Sequence, residues 1–165
     1  MDETVSLGLM MYRVEEYHGS AALLAPIAES WRQEANGASF GLTIDTESHL
    51  QDLQRLIQSD DSAVLILVQG EKELFVIGYM GLQFFKNPLG PETVAQEHYW
   101  YVLPEKRGKG SLRLLSAADE WAKRHDCSHL IMNASHLASD SHDKVCRLYE
   151  RKGYQPFETS FIKEL

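Results

Sequence analysis

The stretch VLPEKRGKGSLRLL, Val102 to Leu115, constrains the fold more than any other part of the chain. An apolar run stops at Pro104, passes through two glycines flanked by bases, and resumes with apolar residues at helical spacing. A glycine turn that opens a helix presents unpaired main-chain N–H groups and the positive end of the helix dipole, which together suit a phosphate. The nucleotide-triphosphate loop requires Gly, four residues, then Gly-Lys and Ser or Thr. Here Gly108-Lys109 is followed by Gly110, and Leu103 stands where the first glycine belongs. The dinucleotide turn requires a third glycine where Arg113 stands, and it follows the first strand of its domain rather than a late one. Both patterns fail.

The surrounding texture supplies the context. MYRVEEY (Met11 to Tyr17) reads as a first strand, and Ala21 to Trp31 as a helix in which Pro26 predicts a kink or a late start. Asp45 or Thr46 caps a second helix whose Leu50, Leu53 and Ile57 share a face. SAVLILVQ (Ser62 to Gln69) and ELFVIGYMGLQFF (Glu73 to Phe85) flank the turn GEK as a hairpin, and TVAQEHYWYVLP (Thr93 to Pro104) completes an antiparallel meander. After the turn, Leu114, Leu115, Ala118, Trp121 and Ala122 mark a helix, followed by a strand at His129 to Ala134. Such a crossover makes its two strands parallel and sets the helix amino terminus at the carboxyl end of the first. A helix from Ser141 to Lys152 stops at Gly153, and YQPFETSFIKEL reads as a last strand. The class is α/β with a mixed sheet.

At 165 residues with 44% apolar content, the chain builds one domain, residues 1–165, around one core. A formal charge of -8 speaks against nucleic acid, tRNA included, and against anionic membrane, and mildly favours a cationic substrate. The two cysteines, Cys127 and Cys146, lie far apart, and no apolar run nears 18 residues, so a reduced, cytoplasmic protein is expected. His125, Cys127 and His129 crowd together without a further ligand set, so no metal is expected.

The pattern Val-x-Pro-x-x-Arg-Gly-x-Gly, present as VLPEKRGKG, resembles the signature of the GNAT superfamily of N-acetyltransferases. HDKVCRLYERKGY (His142 to Tyr154) is similar to the family's second signature, and the order of elements agrees from about Met11 onward. The resemblance implies a GNAT-like, mostly antiparallel mixed sheet with helices on both faces. It implies acetyl-CoA as co-substrate and an amine acceptor of unknown identity, belonging to a small molecule or a peptide. It also admits a homodimer. Leu112 stands where Gly or Ala is usual, and His142 where Asn is usual. Those departures leave a second reading open, a GNAT-like domain that binds acyl-CoA or is purely structural, without turnover.

By the same resemblance, main-chain groups of Tyr101, Val102 and Leu103 pair with the pantetheine arm, and an N–H near Val102 faces the oxyanion. Arg107, Gly108, Lys109, Gly110 and Ser111 hold the pyrophosphate, and His142 takes the place of the Asn that opens the second signature. Tyr149 is the matching general acid for the departing thiolate. For the base, Glu97 is the first choice, with His98 or a water as alternatives. Strand alternation sends Glu97 and His98 to opposite faces unless a bulge intervenes.

Overall fold

The structure is a computed structural model that describes residues 11–138 and 141–165. β1 (Tyr12–Glu16) is followed by a 3-10 turn, Ala21–Leu24, which runs into α1 (Ala25–Glu34). Pro26 falls in the first turn of α1, where its missing N–H has no intrahelical acceptor to lose, so it gives a late start rather than a kink. A second 3-10 turn, Gly37–Phe40, leads to α2 (Thr46–Gln58), where the Asp45 carboxylate accepts the Ser48 N–H at 2.8 Å. Leu53 and Leu56 of α2 are fully buried, and His49 is buried with them, a polar residue on the face that pattern alone assigns to leucines.

β2 (Ser62–Gln69), β3 (Phe75–Lys86) and β4 (Thr93–Val102) form the expected meander. All eight residues of β2 are buried, because β1 and β3 flank it and helices cover both its faces. After a short 3-10 turn, Pro104–Lys106, α3 (Lys109–Arg124) crosses over to β5 (His129–Ile131), which pairs parallel with β4. The sheet order is β1-β2-β3-β4-β5, antiparallel except for the last pair. The class is therefore the expected mixed α/β sheet.

Each face of the sheet has its own core. Leu114, Ala118 and Trp121 of α3 pack on Leu65, Leu67, Met80 and Leu82. Leu24, Ile27, Leu53 and Leu56 pack on Val64, Ile66 and Tyr79 on the opposite face. α4 (His142–Arg151) closes at Gly153, whose φ of 90° is one that a glycine adopts without strain.

Two strand expectations are corrected. β5 stops at Ile131 rather than reaching Ala134, because the main-chain and side-chain amides of Asn133 turn to Glu97 instead of continuing the ladder. The segment Tyr154 to Leu165 is not a strand. An extended segment joins a sheet only where a neighbour takes its N–H and C=O groups. Here Phe157 and Phe161 stand in solvent, at 77% and 93% exposure, although the Tyr154 hydroxyl donates to Asp119 at 3.0 Å. Among the described residues, no helix is long and apolar enough to cross a membrane.

Candidate active site

β4 and β5 stay paired only from Val94 to Gln96 against His129 to Ile131. Beyond that point the two strands part. At the fork, Asn133 donates its main-chain N–H to Glu97 Oε2 (2.9 Å) and its side-chain amide to the Glu97 carbonyl (2.6 Å). Those bonds replace the next rung of the ladder, and they open a slot between the carboxyl ends of two parallel strands.

β4 also carries a bulge. Gly81 pairs with Tyr99 and Leu82 with Glu97, so His98 is the extra residue. Glu97 consequently sits on the α3 and α4 face beside Tyr149, while the Tyr99 hydroxyl reaches Asp52 of α2 at 2.5 Å on the other face. His98 is exposed and feels the charges of Asp52 and Arg55, which puts it on the α2 side as well. The two base candidates therefore lie on opposite faces of the sheet.

The expected freed groups follow from hydrogen-bond alternation. Leu103 donates its N–H to Ile77 O of β3 at 2.9 Å, so the N–H and C=O of Val102 point the other way, into the slot. The Val102 carbonyl is taken by Arg107 Nε at 3.0 Å, and the Val102 N–H is left facing the opening.

At the foot of the slot, α3 begins. Gly108 has φ of 143°, a conformation that strains any residue with a Cβ. Gly110 answers a different demand: a Cβ there would lie 2.9 Å from the Tyr12 ring of β1, so the helix end packs tightly on the sheet. Ser111 N–H bonds the Gly108 carbonyl (3.0 Å), and Ser111 Oγ accepts the Gly108 N–H (3.3 Å). The N–H groups of Lys109 and Gly110 have no acceptor within the helix, which is the arrangement an anion requires. The expected contribution of the Lys109 side chain lies outside the described residues. Leu112 is half-buried and lines, with Val14, Arg113 and Ser116, a groove of about 350 Å³ beside β1.

Arg107 does not extend as a free surface cation. Its two terminal nitrogens grip Glu34 at 2.8 and 2.5 Å, and its guanidinium carbon lies 5.3 Å from the centre of the Tyr101 ring. The Tyr101 main chain ends β4 beside the slot, but its hydroxyl points to the far face, where it donates to Glu34 (2.9 Å) and bonds Ser30 Oγ (2.9 Å).

Tyr149 is buried on α4, its ring stacked on Trp100 at 6.1 Å between centroids and its hydroxyl donating to Asn133 O at 3.2 Å. Burial raises its phenol well above the ordinary value, and the nearby Glu97 adds to that. Burial likewise pushes the Glu97 carboxyl up to about 7, although the two Asn133 bonds oppose the shift. Asn133 thus bridges the acid and the carboxylate that the sequence nominated separately. His142 opens α4 with its ring stacked on His136 at 3.9 Å and Nδ1 2.9 Å from Asp143 Oδ1.

Glu29, Glu34 and Asp45, acids of the stretch from α1 to the start of α2, each have a partner. Glu29 pairs with Arg32 and accepts from Thr46, Glu34 pairs with Arg107, and Asp45 caps α2. Asn133 is the site residue that sequence reasoning missed, together with the pairing of Glu34 with Arg107. Asn133 had a faint signal, as the one amide in the apolar run HLIMNA. The pairing of Glu34 with Arg107 had none, since 73 positions separate the two.

Comparison with known proteins bears on this geometry directly. Residues 27–154 match the Acetyltransferase (GNAT) family. An aminoglycoside N(6')-acetyltransferase type 1 of Acinetobacter genomosp. 13 is 26% identical over 141 residues, covering 78% of this chain and 97% of that protein. Among solved structures, the Aminoglycoside N-Acetyltransferase AAC(6')-Iy in complex with CoA aligns with a TM-score of 0.65 at 16% identity, over 94% of this chain and 95% of that one. The ribosomal-protein-alanine N-acetyltransferase of Brucella melitensis biovar Abortus 2308 aligns with a TM-score of 0.67 at 18% identity, over 94% and 100% of the two chains. At these identities the structural likeness establishes the fold.

Proposed function

Since this chain belongs to the GNAT acetyltransferase family, we propose that it moves an acetyl group from acetyl-CoA directly to a primary amine of a small molecule or peptide. The observation that carries the reading is the fork at Glu97: a slot faced by the Val102 N–H, with a glycine-started helix at one end and a buried phenol at the other. When bound, acetyl-CoA supplies the activated acyl group. The chain supplies position, an oxyanion donor and a place for two protons.

The amides of Lys109 and Gly110, which have no acceptor within the helix, suit the pyrophosphate, and the N–H of Val102 is aimed where a thioester oxygen would gain charge. The acceptor must attack as a neutral amine. A lysine-like group is neutral in about one molecule in 2,500 at pH 7, against roughly one in seven for an α-amine. Glu97, with its carboxyl near 7, has a basicity suited to taking the amine proton through a water at neutral pH. Tyr149 stays protonated across the working range, so its hydroxyl is present to hydrogen-bond the departing sulfur and pass it a proton, a step that runs uphill from so weak an acid and is completed by proton uptake from water.

The aminoglycoside acetyltransferase relative makes an aminoglycoside amine the first acceptor to try, and a charge of -8 favours the approach of a polycation. The test is free-thiol release from acetyl-CoA with an aminoglycoside carrying a 6'-amine, a lysine-containing peptide blocked at its amino terminus, and a peptide with a free amino terminus. Thiol release dependent on at least one amine is expected, with the mass of that amine raised by one acetyl group. Binding of acetyl-CoA without release for any of the three would contradict transfer to such amines.

A further inference from the structure

Glu34 occupies a costly place. It is the last residue of α1, where the helix dipole disfavours a carboxylate. Its charge is met across the fold by the fork of Arg107, and one of its oxygens also accepts from the Tyr101 hydroxyl. That hydroxyl bonds Ser30 Oγ, one turn earlier in α1, so the last turn of the helix is fastened to the end of β4. Arg107 in turn holds the Val102 carbonyl. Two residues past Glu34, Asn36 donates its N–H at 2.8 Å to Leu137 O, in the loop that follows β5. The end of α1 is therefore tied to both banks of the slot: through Glu34 to β4, and through Asn36 to the β5 side.

We propose that Glu34 is a positioning residue, which through Arg107 and Tyr101 latches the end of α1 across the mouth of the slot and so fixes the wall against which the acceptor amine is aimed. This rests on the acetyl-transfer reading of the slot. It gives Arg107 a different task from the one its place in the glycine motif suggests. Its guanidinium spends three of its five N–H donors on Glu34 and Val102, and packs on Tyr101, so main-chain amides are the chief donors to the phosphate. A latch of this kind governs where the acceptor sits more than how tightly the coenzyme binds.

The test compares the unsubstituted protein with Glu34→Gln, Arg107→Gln and the double variant. Hydrogen exchange at the Asn36 amide needs no ligand, and it should quicken at least tenfold in Glu34→Gln. Calorimetry should give an acetyl-CoA Kd within threefold of the unsubstituted protein in both single variants, with an unchanged salt dependence for Arg107→Gln. With the panel amine turned over fastest, KM for the amine should rise about tenfold in each single variant, and the double should be no worse than either. Unchanged exchange at Asn36, an acetyl-CoA Kd weakened tenfold with the amine KM unmoved, or additive losses in the double variant would each overturn the latch. Failure of the unsubstituted protein to bind acetyl-CoA would instead overturn the reading on which the latch rests, and the exchange result would still decide whether Glu34 holds the end of α1.

Discussion

On each face of the sheet an imidazole or a carboxyl is buried beside a tyrosine, with opposite effects. On the α1 and α2 face, His49 is enclosed by Trp31 (4.7 Å) and Tyr99 (4.5 Å), its Nε2 bonded to the Tyr79 hydroxyl at 2.7 Å. Burial drives its imidazole down to about 4, so it stays neutral at physiological pH. On the α3 and α4 face, Glu97 lies beside Tyr149 at the mouth of a fork, and burial drives its carboxyl up to about 7, into the range where protons are exchanged. The same desolvation that silences a histidine brings a carboxyl into use. One face is built to be inert, and the other is poised for proton transfer.

The largest effect that would sharpen this contrast belongs to the poised face. Tyr149→Phe should lower kcat by about 10²–10³ while the acetyl-CoA Kd stays within a few fold, read by steady-state thiol release and calorimetry. Glu97→Gln should lower kcat/KM by about 10²-fold at pH 8. The additional acidic break in kcat/KM near 7, expected in the unsubstituted protein as Glu97 gains a proton, should vanish in that variant and leave only the slope set by protonation of the amine itself. A break near 7 that persists in Glu97→Gln would move the base elsewhere, with His98 the next to substitute.

The inert face should respond in stability alone. His49→Ala empties a packed site and leaves the Tyr79 hydroxyl without its partner, at a cost of about 2–4 kcal/mol in urea unfolding. Folded variant should retain kcat within about threefold. A loss of kcat much larger than the loss of folded protein would break the division between the faces.

The smallest effects lie in the pH dependence of stability, where the two groups act with opposite sign. Between about 4.5 and 7 the folded chain keeps a proton on Glu97 that the unfolded chain gives up, so this group's contribution is full below that window and is lost as pH rises through it. Between about 6.5 and 4 the unfolded chain takes up a proton that buried His49 refuses, so its contribution is lost as pH falls. The slopes oppose each other where the windows overlap. Glu97→Gln should therefore expose a steeper acid destabilisation, and His49→Phe a gain in stability on acidification from pH 7 to 5, each about 1–2 kcal/mol by urea midpoints.

What was legible in the chain was whatever depends on near neighbours. The apolar residues of α3, the ends of β2 and the glycine turn follow from spacing and chain conformation within one segment. The base candidates stayed undecided because the bulge at His98 carries no glycine or proline to mark it. The tail from Tyr154 has strand composition, yet composition does not provide the neighbouring strand that would pair with it. Arg107 shows the same limit at the site itself. Its motif suggested a phosphate ligand, and its partners are a glutamate 73 residues earlier and a carbonyl of its own strand end. Residue type and spacing locate the slot, while the identity of its fastenings depends on tertiary contact.

Acetyl transfer by this fold requires a coenzyme lying between β4 and β5 with its phosphates at the start of α3. Titration of the 15N-labelled protein with CoA tests this most directly. The largest amide shifts should fall at Val102, Gly108, Gly110 and Ser111, with those around His49 nearly still. Largest shifts on the α1 and α2 face, with the glycine turn unmoved, would contradict that placement.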